Sequence, residues 1–137
     1  MKTVIYSLLF LTILLFVSCN EDEVAEINNS TELIGFWGNR VVNDTIYTFE
    51  RLDSLKDNDY GFTFKTGEIF MERANTGWCG TPPVSYTNYN GTWSQNDSII
   101  NILVAYWGGM ADYQWKIVHI DNNTLTINVI IQNYNNQ

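Results

Sequence analysis

Few side chains in this sequence have the type and spacing that catalysis requires. His119 is the only histidine, and Cys79 is one of two cysteines. An imidazole acts as a general base only where a nucleophile or an orienting group lies within hydrogen-bond distance. A Cys79–His119 pair would meet that requirement, and the alternative is a histidine that hydrogen-bonds within the wall of the fold. No other catalytic set is recognisable, so we expect a protein that is not an enzyme and has no cofactor.

Three acidic residues have part of the spacing of a calcium-binding loop. Asp57, Asp59 and Glu68 fall at positions 1, 3 and 12 of that pattern. Phe62, however, occupies the position that requires glycine, and residues 62–65 have the composition of a strand. We therefore predict a polar connection followed by a hairpin, and no metal site.

The elements that would position any site are strands. From residue 33 onward apolar residues recur with period two, in eight runs separated by turn-forming residues. The predicted strands are residues 36–42, 45–52, 60–65, 68–73, 85–94, 98–106, 112–120 and 124–132. Evenly spaced strands with one apolar face each predict an all-β, up-and-down antiparallel barrel of about eight strands, with a short helical turn at residues 30–34.

The same alternation predicts which side chains face the barrel interior. On the seventh strand these are Tyr113, Trp115, Ile117 and His119, and on the eighth they are Leu125, Ile127, Val129 and Ile131. Aromatic rings inside a barrel either line a pocket for an apolar or sugar ligand or fill a small core. Both readings stay open, and Tyr113, Trp115 and His119 are the candidate ligand contacts from inside the barrel.

The longer connections predict where a contact surface would lie. In an up-and-down barrel, the links after strands two, four and six share one end with the N-terminal segment and the C-terminus. These links, residues 53–59, 75–84 and 107–111, are the longer ones, and long loops often carry binding sites. We predict that Trp78, Tyr86 and Trp107 form a contact surface at this end. The alternative is that they only cap the barrel.

The N-terminus has the three parts of an export signal. Lys2 gives a positive charge, residues 4–17 are almost entirely apolar, and small residues precede Cys19. The segment Phe16-Val17-Ser18-Cys19 resembles the lipobox of bacterial lipoproteins, in which the cysteine is acylated and the chain is cut before it. We therefore expect residues 1–18 to be a signal peptide, and Cys19 to be a lipidated residue in the outer membrane of a bacterial cell envelope.

Residues 19–31 are polar and acidic, which predicts a flexible tether. An acidic cluster after the lipidated cysteine also resembles the surface-export signal of some bacterial lipoproteins, and a solubilising linker is the alternative. Removal of residues 1–18, which contain one lysine and no acid, leaves six basic and 15 acidic residues, a net charge of −9. That balance argues against nucleic acid as a partner, so attachment to the membrane would depend on acyl chains.

Three motifs carry a resemblance to a family. Leu33-Ile34-Gly35-Phe36-Trp37 resembles the glycine-x-tryptophan start of lipocalins, and Ala111-Asp112-Tyr113 resembles their second motif. Gly91-Thr92-Trp93 followed by Ser98-Ile99-Ile100 is similar to short lipocalin-like domains of bacterial lipoproteins. The resemblance implies that residues 32–137 form a calycin-type barrel in which Gly35 and Trp37 plug one end. Lipocalins also carry a late arginine over the tryptophan, and here no lysine or arginine follows Lys116.

The sequence thus supports two functions from different classes. The first is an envelope-anchored barrel that binds a small apolar or amphipathic ligand without catalysis. The second is a structural module with a filled core, whose loops contact a protein partner at the cell surface.

Overall fold

The computed structural model describes residues 30–77 and 80–136. They form one helical turn and eight strands, which confirms the predicted fold class. The elements are α1 (Ser30–Leu33), β1 (Gly35–Asn43), β2 (Ile46–Leu52), β3 (Gly61–Lys65), β4 (Ile69–Asn75), β5 (Tyr86–Asn96), β6 (Ile99–Tyr106), β7 (Gly109–Ile120) and β8 (Thr124–Asn136).

The strands close into a barrel in the order β1-β2-β8-β7-β6-β5-β4-β3, and every ladder is antiparallel. This differs at one point from the up-and-down order, because β1 lies between β2 and β3. Both neighbours of β1 run antiparallel to it, so β2 and β3 run in the same direction. The connection 53–60 must therefore return along the barrel, past β1, before β3 begins.

Two glycines lie where the end of β2 and the connection pack closely against β1 and β3. A Cβ added to Gly38 would lie 2.6 Å from Cδ1 of Leu52, and one added to Gly61 would lie 2.9 Å from Cδ2 of Leu55. Arg73 on β4 holds the connection in place, because its Nη1 donates to the carbonyl oxygens of Leu55 (3.1 Å) and Lys56 (3.0 Å). The same nitrogen lies 3.3 Å from the Asp57 carboxylate.

The crossover changes which connections share an end. We call the end that carries α1 the helix end, and the opposite end, which carries the β4–β5 connection, the loop end. The turns between β3 and β4, β5 and β6, and β7 and β8 lie at the helix end. The β1–β2 turn, the β6–β7 turn and the C-terminus lie at the loop end. The predicted grouping is therefore wrong for the β1–β2 turn and for the N-terminal segment. It is also wrong for the link after β2, because the connection 53–60 runs from the helix end to the loop end and reverses the direction of every later strand.

Apolar and aromatic side chains fill the barrel interior near the helix end and through its middle. The core includes Trp37, Phe49, Phe62, Phe64, Phe70, Trp93 and Trp115, together with aliphatic residues of β6, β7 and β8. Phe62 lies at its centre, with ring centroids 4.7 Å from Phe49 and 5.3 Å from Trp115. Inward placement of Tyr113, Trp115 and Ile117 is confirmed.

The inward placement of His119 is wrong. The β7–β8 register shifts between Ile117 and His119, which leaves Val118 unpaired as a β-bulge and places His119 opposite the outward-facing Thr126. The imidazole is 59% exposed and bonds the carboxylate of Asp121, with Nε2 3.0 Å from Oδ2. A second shift places Ile131 opposite Gln114 on the outer face, so that residue is not inward either.

The helix end is closed by a stack of a tryptophan and an arginine. Trp37 is fully buried, and its indole nitrogen donates to the carbonyl of Leu33 at 2.8 Å. The Arg51 guanidinium lies over the indole, 4.2 Å from the ring centroid. Gly35 has a φ of +138°, and a Cβ there would lie 2.5 Å from Nη1 of Arg51. Only glycine fits this position without strain, so Gly35, Trp37 and Arg51 form one unit.

Candidate ligand site in the barrel interior

An acidic side chain lies inside the barrel, on the loop-end side of the aromatic core. β4 alternates Phe70, Glu72 and Ala74 on its inner face, and Glu72 is only 4% exposed. Glu72 pairs with Phe62 of β3 and Tyr89 of β5, which both face inward. A carboxylate in this position is unusual, because burying a charge is costly unless partners satisfy it.

Two tyrosine hydroxyls satisfy the Glu72 carboxylate. Tyr60 Oη donates to Oε1 at 2.7 Å, and Tyr113 Oη donates to Oε2 at 3.3 Å. Burial raises the pKa of Glu72 above its ordinary value, and the two tyrosine bonds and the positive charge of Arg40 partly oppose that rise. Among the described residues the ion pairs are Arg73–Asp57 and His119–Asp121, so Glu72 has no cationic side chain in contact.

The same tyrosines remain neutral donors. Burial, followed by the negative charge of Glu72, raises the pKa of Tyr60 and of Tyr113 well above the usual tyrosine value. Neither phenol ionises at neutral pH, so both keep the proton that they donate to Glu72. A carboxylate in a low-dielectric site with fixed donors is typical of a functional site.

Further tyrosines surround Glu72 toward the loop end. The set, here called the tyrosine cluster, is Tyr47, Tyr60, Tyr89, Tyr106, Tyr113 and Tyr134. All but Tyr113 are partly or largely exposed. Tyr113 stacks on Trp115 with ring centroids 5.7 Å apart, and Tyr134 contacts Tyr106 at 5.1 Å and Tyr113 at 6.1 Å. The cluster therefore runs from the buried core to the solvent at the loop end.

Arg40 stands at the rim of the tyrosine cluster. A register shift between Gly38 and Val41 releases Arg40 from the regular ladder with β2. Its guanidinium carbon lies 4.3 Å from the ring centroid of Tyr60 and 5.7 Å from that of Tyr47. The face of Tyr60 thus already accepts a cation, as electron-rich aromatic rings do.

The structure places those sequence-predicted site residues that lie within residues 30–77 and 80–136. Tyr113 and Trp115 stack together inside the barrel, and Trp107 lies at the loop end, 51% exposed, 5.6 Å from the ring of Tyr106. Tyr86 begins β5 at the same end, but alternation from Tyr89 places it on the outer face. His119 lies on the outer face near the helix end, far from these residues.

Some predicted residues lie outside the described part of the chain. These are Cys19, Trp78 and Cys79. The predicted Cys79–His119 pair therefore also falls outside the described residues.

The calcium-loop spacing does not form a site. β3 separates Asp57 and Asp59 from Glu68, which confirms the strand predicted between them. Within residues 30–77 and 80–136, no group of three or more His, Cys, Asp or Glu side chains could hold a metal ion. No helix in that same part of the chain is long and apolar enough to cross a membrane.

Sequence reasoning missed Glu72, Tyr60 and Arg40. The signal for Glu72 was present, because Phe70 and Ala74 at two-residue spacing place a carboxylate on the inner face of β4. No pattern pointed to Arg40 or Tyr60, since the bulge and the crossover that position them are not visible in the alternation.

A groove with a volume of about 240 Å³ lies across β5, β6 and β7, away from the tyrosine cluster. Outward residues such as Thr92, Asn101, Leu103 and Asp112 line it. This groove is open to solvent, and its lining is partly polar and partly apolar. The interior cluster, in which two hydroxyls converge on Glu72, therefore remains the candidate site.

This chain matches no protein-family model, no curated protein and no solved structure, so its own fold and the Glu72 site are the basis for any functional assignment.

Proposed function

We propose that this chain is an exported, lipid-anchored barrel that binds a small amphipathic ligand at the tyrosine cluster, without catalysis. The observation that carries the proposal is the buried Glu72 carboxylate, held by the hydroxyls of Tyr60 and Tyr113 beneath partly exposed tyrosine rings. Aromatic walls with a few convergent polar groups are the usual composition of small-molecule sites. Rings would contact the apolar part of a ligand, and the polar centre would orient it.

The proposed anchor fits this use of the barrel. The chain enters the barrel through α1 at the helix end, so acylation at Cys19 would attach the molecule on that side. A flexible tether would leave the loop end, with the tyrosine cluster, free to face away from the membrane. A ligand could reach it from the aqueous compartment.

Kinship with lipocalins is part of the proposal. The burial of Trp37 behind Gly35 and the stacked Arg51 support it, because together they provide the plug that the resemblance implies. The position of β1 between β2 and β3 is a departure from the up-and-down order of that family.

A protein-interaction module is the second candidate, and two observations favour it. The interior near the helix end is filled by aromatic side chains, and apolar side chains stand exposed at the loop end: Trp107 and Tyr134 at 51% and Val42 at 50%. Exposed aromatic residues are often the anchors of protein interfaces.

Binding of a neutral fluorescent probe, N-phenyl-1-naphthylamine, tests the ligand proposal. We expect saturable fluorescence enhancement with the mature chain, and its loss in Ala74→Phe, which places a bulky ring on the inner face of β4 at the loop end. Ala105→Phe is the matched control, since alternation between Val104 and Tyr106 places Ala105 on the outer face of β6. Equal binding by both variants, or none by the wild type, would oppose an interior site and favour the module.

Intact-mass analysis of envelope fractions tests the anchor. The wild-type chain should be cut before Cys19 and carry acyl groups, and Cys19→Ala should be released from the membrane. An unmodified, soluble wild-type protein would contradict this part of the proposal.

A further inference from the structure

Glu72 is the one buried acidic side chain in the described interior, and the surrounding residues provide it with no contacting counter-ion. Its partners are two neutral phenols, and the described ion pairs are both elsewhere. A buried charge paired only with neutral donors is energetically unfavourable, whereas a cation in contact removes most of the penalty.

The groups that face Glu72 also favour a cation. Tyr60 precedes β3, Tyr89 comes from β5 and Tyr113 from β7, so rings approach from three sides. Aromatic faces attract ammonium groups, and the Arg40 guanidinium over Tyr60 is an example within this molecule. The net charge of the whole chain, −8, adds a long-range attraction for cations and a repulsion of anions.

We propose that the ligand of this barrel is a small amphipathic cation, whose ammonium group pairs with Glu72 while its apolar body packs among the tyrosine rings. This inference rests on the proposed function and specifies the charge of its ligand. Arg40 lies at the rim of the tyrosine cluster, over Tyr60. Its positive charge competes with the ligand for the same negative centre, so its removal should strengthen binding of a cation.

Three probes of matched size and different charge test the proposal: phenethylammonium, neutral 2-phenylethanol and anionic phenylacetate. Titrations of the mature chain at pH 7.5, followed by calorimetry or by NMR shifts, give the three affinities. We expect phenethylammonium to bind at least about tenfold more tightly than 2-phenylethanol, the equivalent of about 1.4 kcal/mol. Phenylacetate should bind most weakly.

Two variants assign that preference to residues. Glu72→Gln should remove the preference for the cation and keep the affinity for 2-phenylethanol. Arg40→Gln, at an exposed position whose change leaves the core intact, should raise the affinity for phenethylammonium several-fold. If Glu72→Gln does not fold, Arg40→Gln alone tests the proposal. In that variant the affinity for phenethylammonium should rise and the affinity for phenylacetate should fall.

The outcomes separate this inference from the proposed function. Equal affinities for the three probes, or a cation preference unchanged in both variants, would overturn the cationic ligand and leave an amphipathic ligand site in place. Tightest binding of phenylacetate would also overturn it. Failure of all three probes and of N-phenyl-1-naphthylamine would overturn both proposals.

Discussion

Arg51 lies over Trp37, with its guanidinium carbon 4.2 Å from the indole centroid, and the two residues face each other as partners in the β1–β2 ladder. The same guanidinium donates to the carbonyl oxygens of Ile34 at 2.8 Å, of Asn122 at 2.7 Å and of Glu32. One side chain therefore joins α1, the start of β1 and the β7–β8 turn. The stacking arginine comes from β2, early in the sequence, and not from the end of the chain.

Arg51→Ala should destabilise the barrel by about 2–4 kcal/mol, because it removes several hydrogen bonds from a charged donor and the cation–π contact. Urea unfolding followed by tryptophan fluorescence measures this loss. Arg40→Ala is the matched control: it removes an arginine that also stacks on an aromatic ring but lies exposed at the rim. We expect less than about 1 kcal/mol for it. Similar losses for the two variants would contradict the special role of Arg51.

Gly35→Ala should destabilise the protein by about 1–3 kcal/mol, because alanine rarely adopts a φ of +138° and its Cβ would collide with Arg51 Nη1. Gly77→Ala is the control, since a Cβ there meets nothing within 4 Å. It should change the free energy of unfolding by no more than about 0.5 kcal/mol. Circular dichroism melts of both variants measure the difference. If Gly35→Ala left the stability unchanged, the unit of Gly35, Trp37 and Arg51 would tolerate a side chain at position 35.

Glu72 should make stability fall as the pH rises. Its pKa in the folded protein lies above the ordinary value, so between these two pKa values the folded state binds more protons than the unfolded state. The contribution of Glu72 to the free energy of unfolding is fully present below the ordinary pKa of 4.5. It is lost as the pH rises through the pKa that Glu72 has in the folded protein. Free energies of unfolding in urea, measured from pH 4.5 to 8, should therefore decline in the wild type.

Glu72→Gln removes this titration and should flatten the profile. Asp121, whose pKa is lowered chiefly by a backbone hydrogen bond from Asn123, acts in the opposite direction and only near or below its ordinary value of 3.8. Its effect therefore lies outside the measured range. A wild-type profile that rises with pH and is unchanged in Glu72→Gln would contradict the assignment to Glu72.

Arg73→Ala should loosen the crossover, because Arg73 bonds two carbonyl oxygens of residues 53–60 and the side-chain oxygen of Asn88. We expect faster amide hydrogen exchange in residues 53–60, and a loss of stability of about 2 kcal/mol. Asp57→Ala separates the ion pair from these bonds, since its carboxylate is 95% exposed and such pairs contribute about 0–1 kcal/mol. Equal exchange in the two variants would show that the carbonyl bonds do not hold the crossover.

The alternation of the sequence was sufficient to predict the eight strands and most of their inner faces. It could not show which strands are neighbours, because β1 presents the same pattern whether it lies beside β8 or between β2 and β3. It also failed at the bulge at Val118, where one unpaired residue moves His119 to the outer face.

The candidate site was only partly predictable for a related reason. Tyr113 and Trp115 follow from strict alternation and were placed inside correctly. Arg40 and Tyr60 depend on a bulge and on a long-range crossover, which are set by packing between distant parts of the chain. The alternation of β4 predicts that Glu72 faces inward. The general rule that protein interiors are apolar argues against an acidic residue there, so Glu72 was missed.

The last strand also constrains how the protein is made. β8 is 13 residues long and pairs with both β7 and β2, and the hydroxyls of Thr48 and Thr126 meet at 3.3 Å across 78 residues of chain. Until β8 is in place, β2 and β7 keep unpaired edges that can join other chains. A chain that loses β8 through early termination should therefore aggregate.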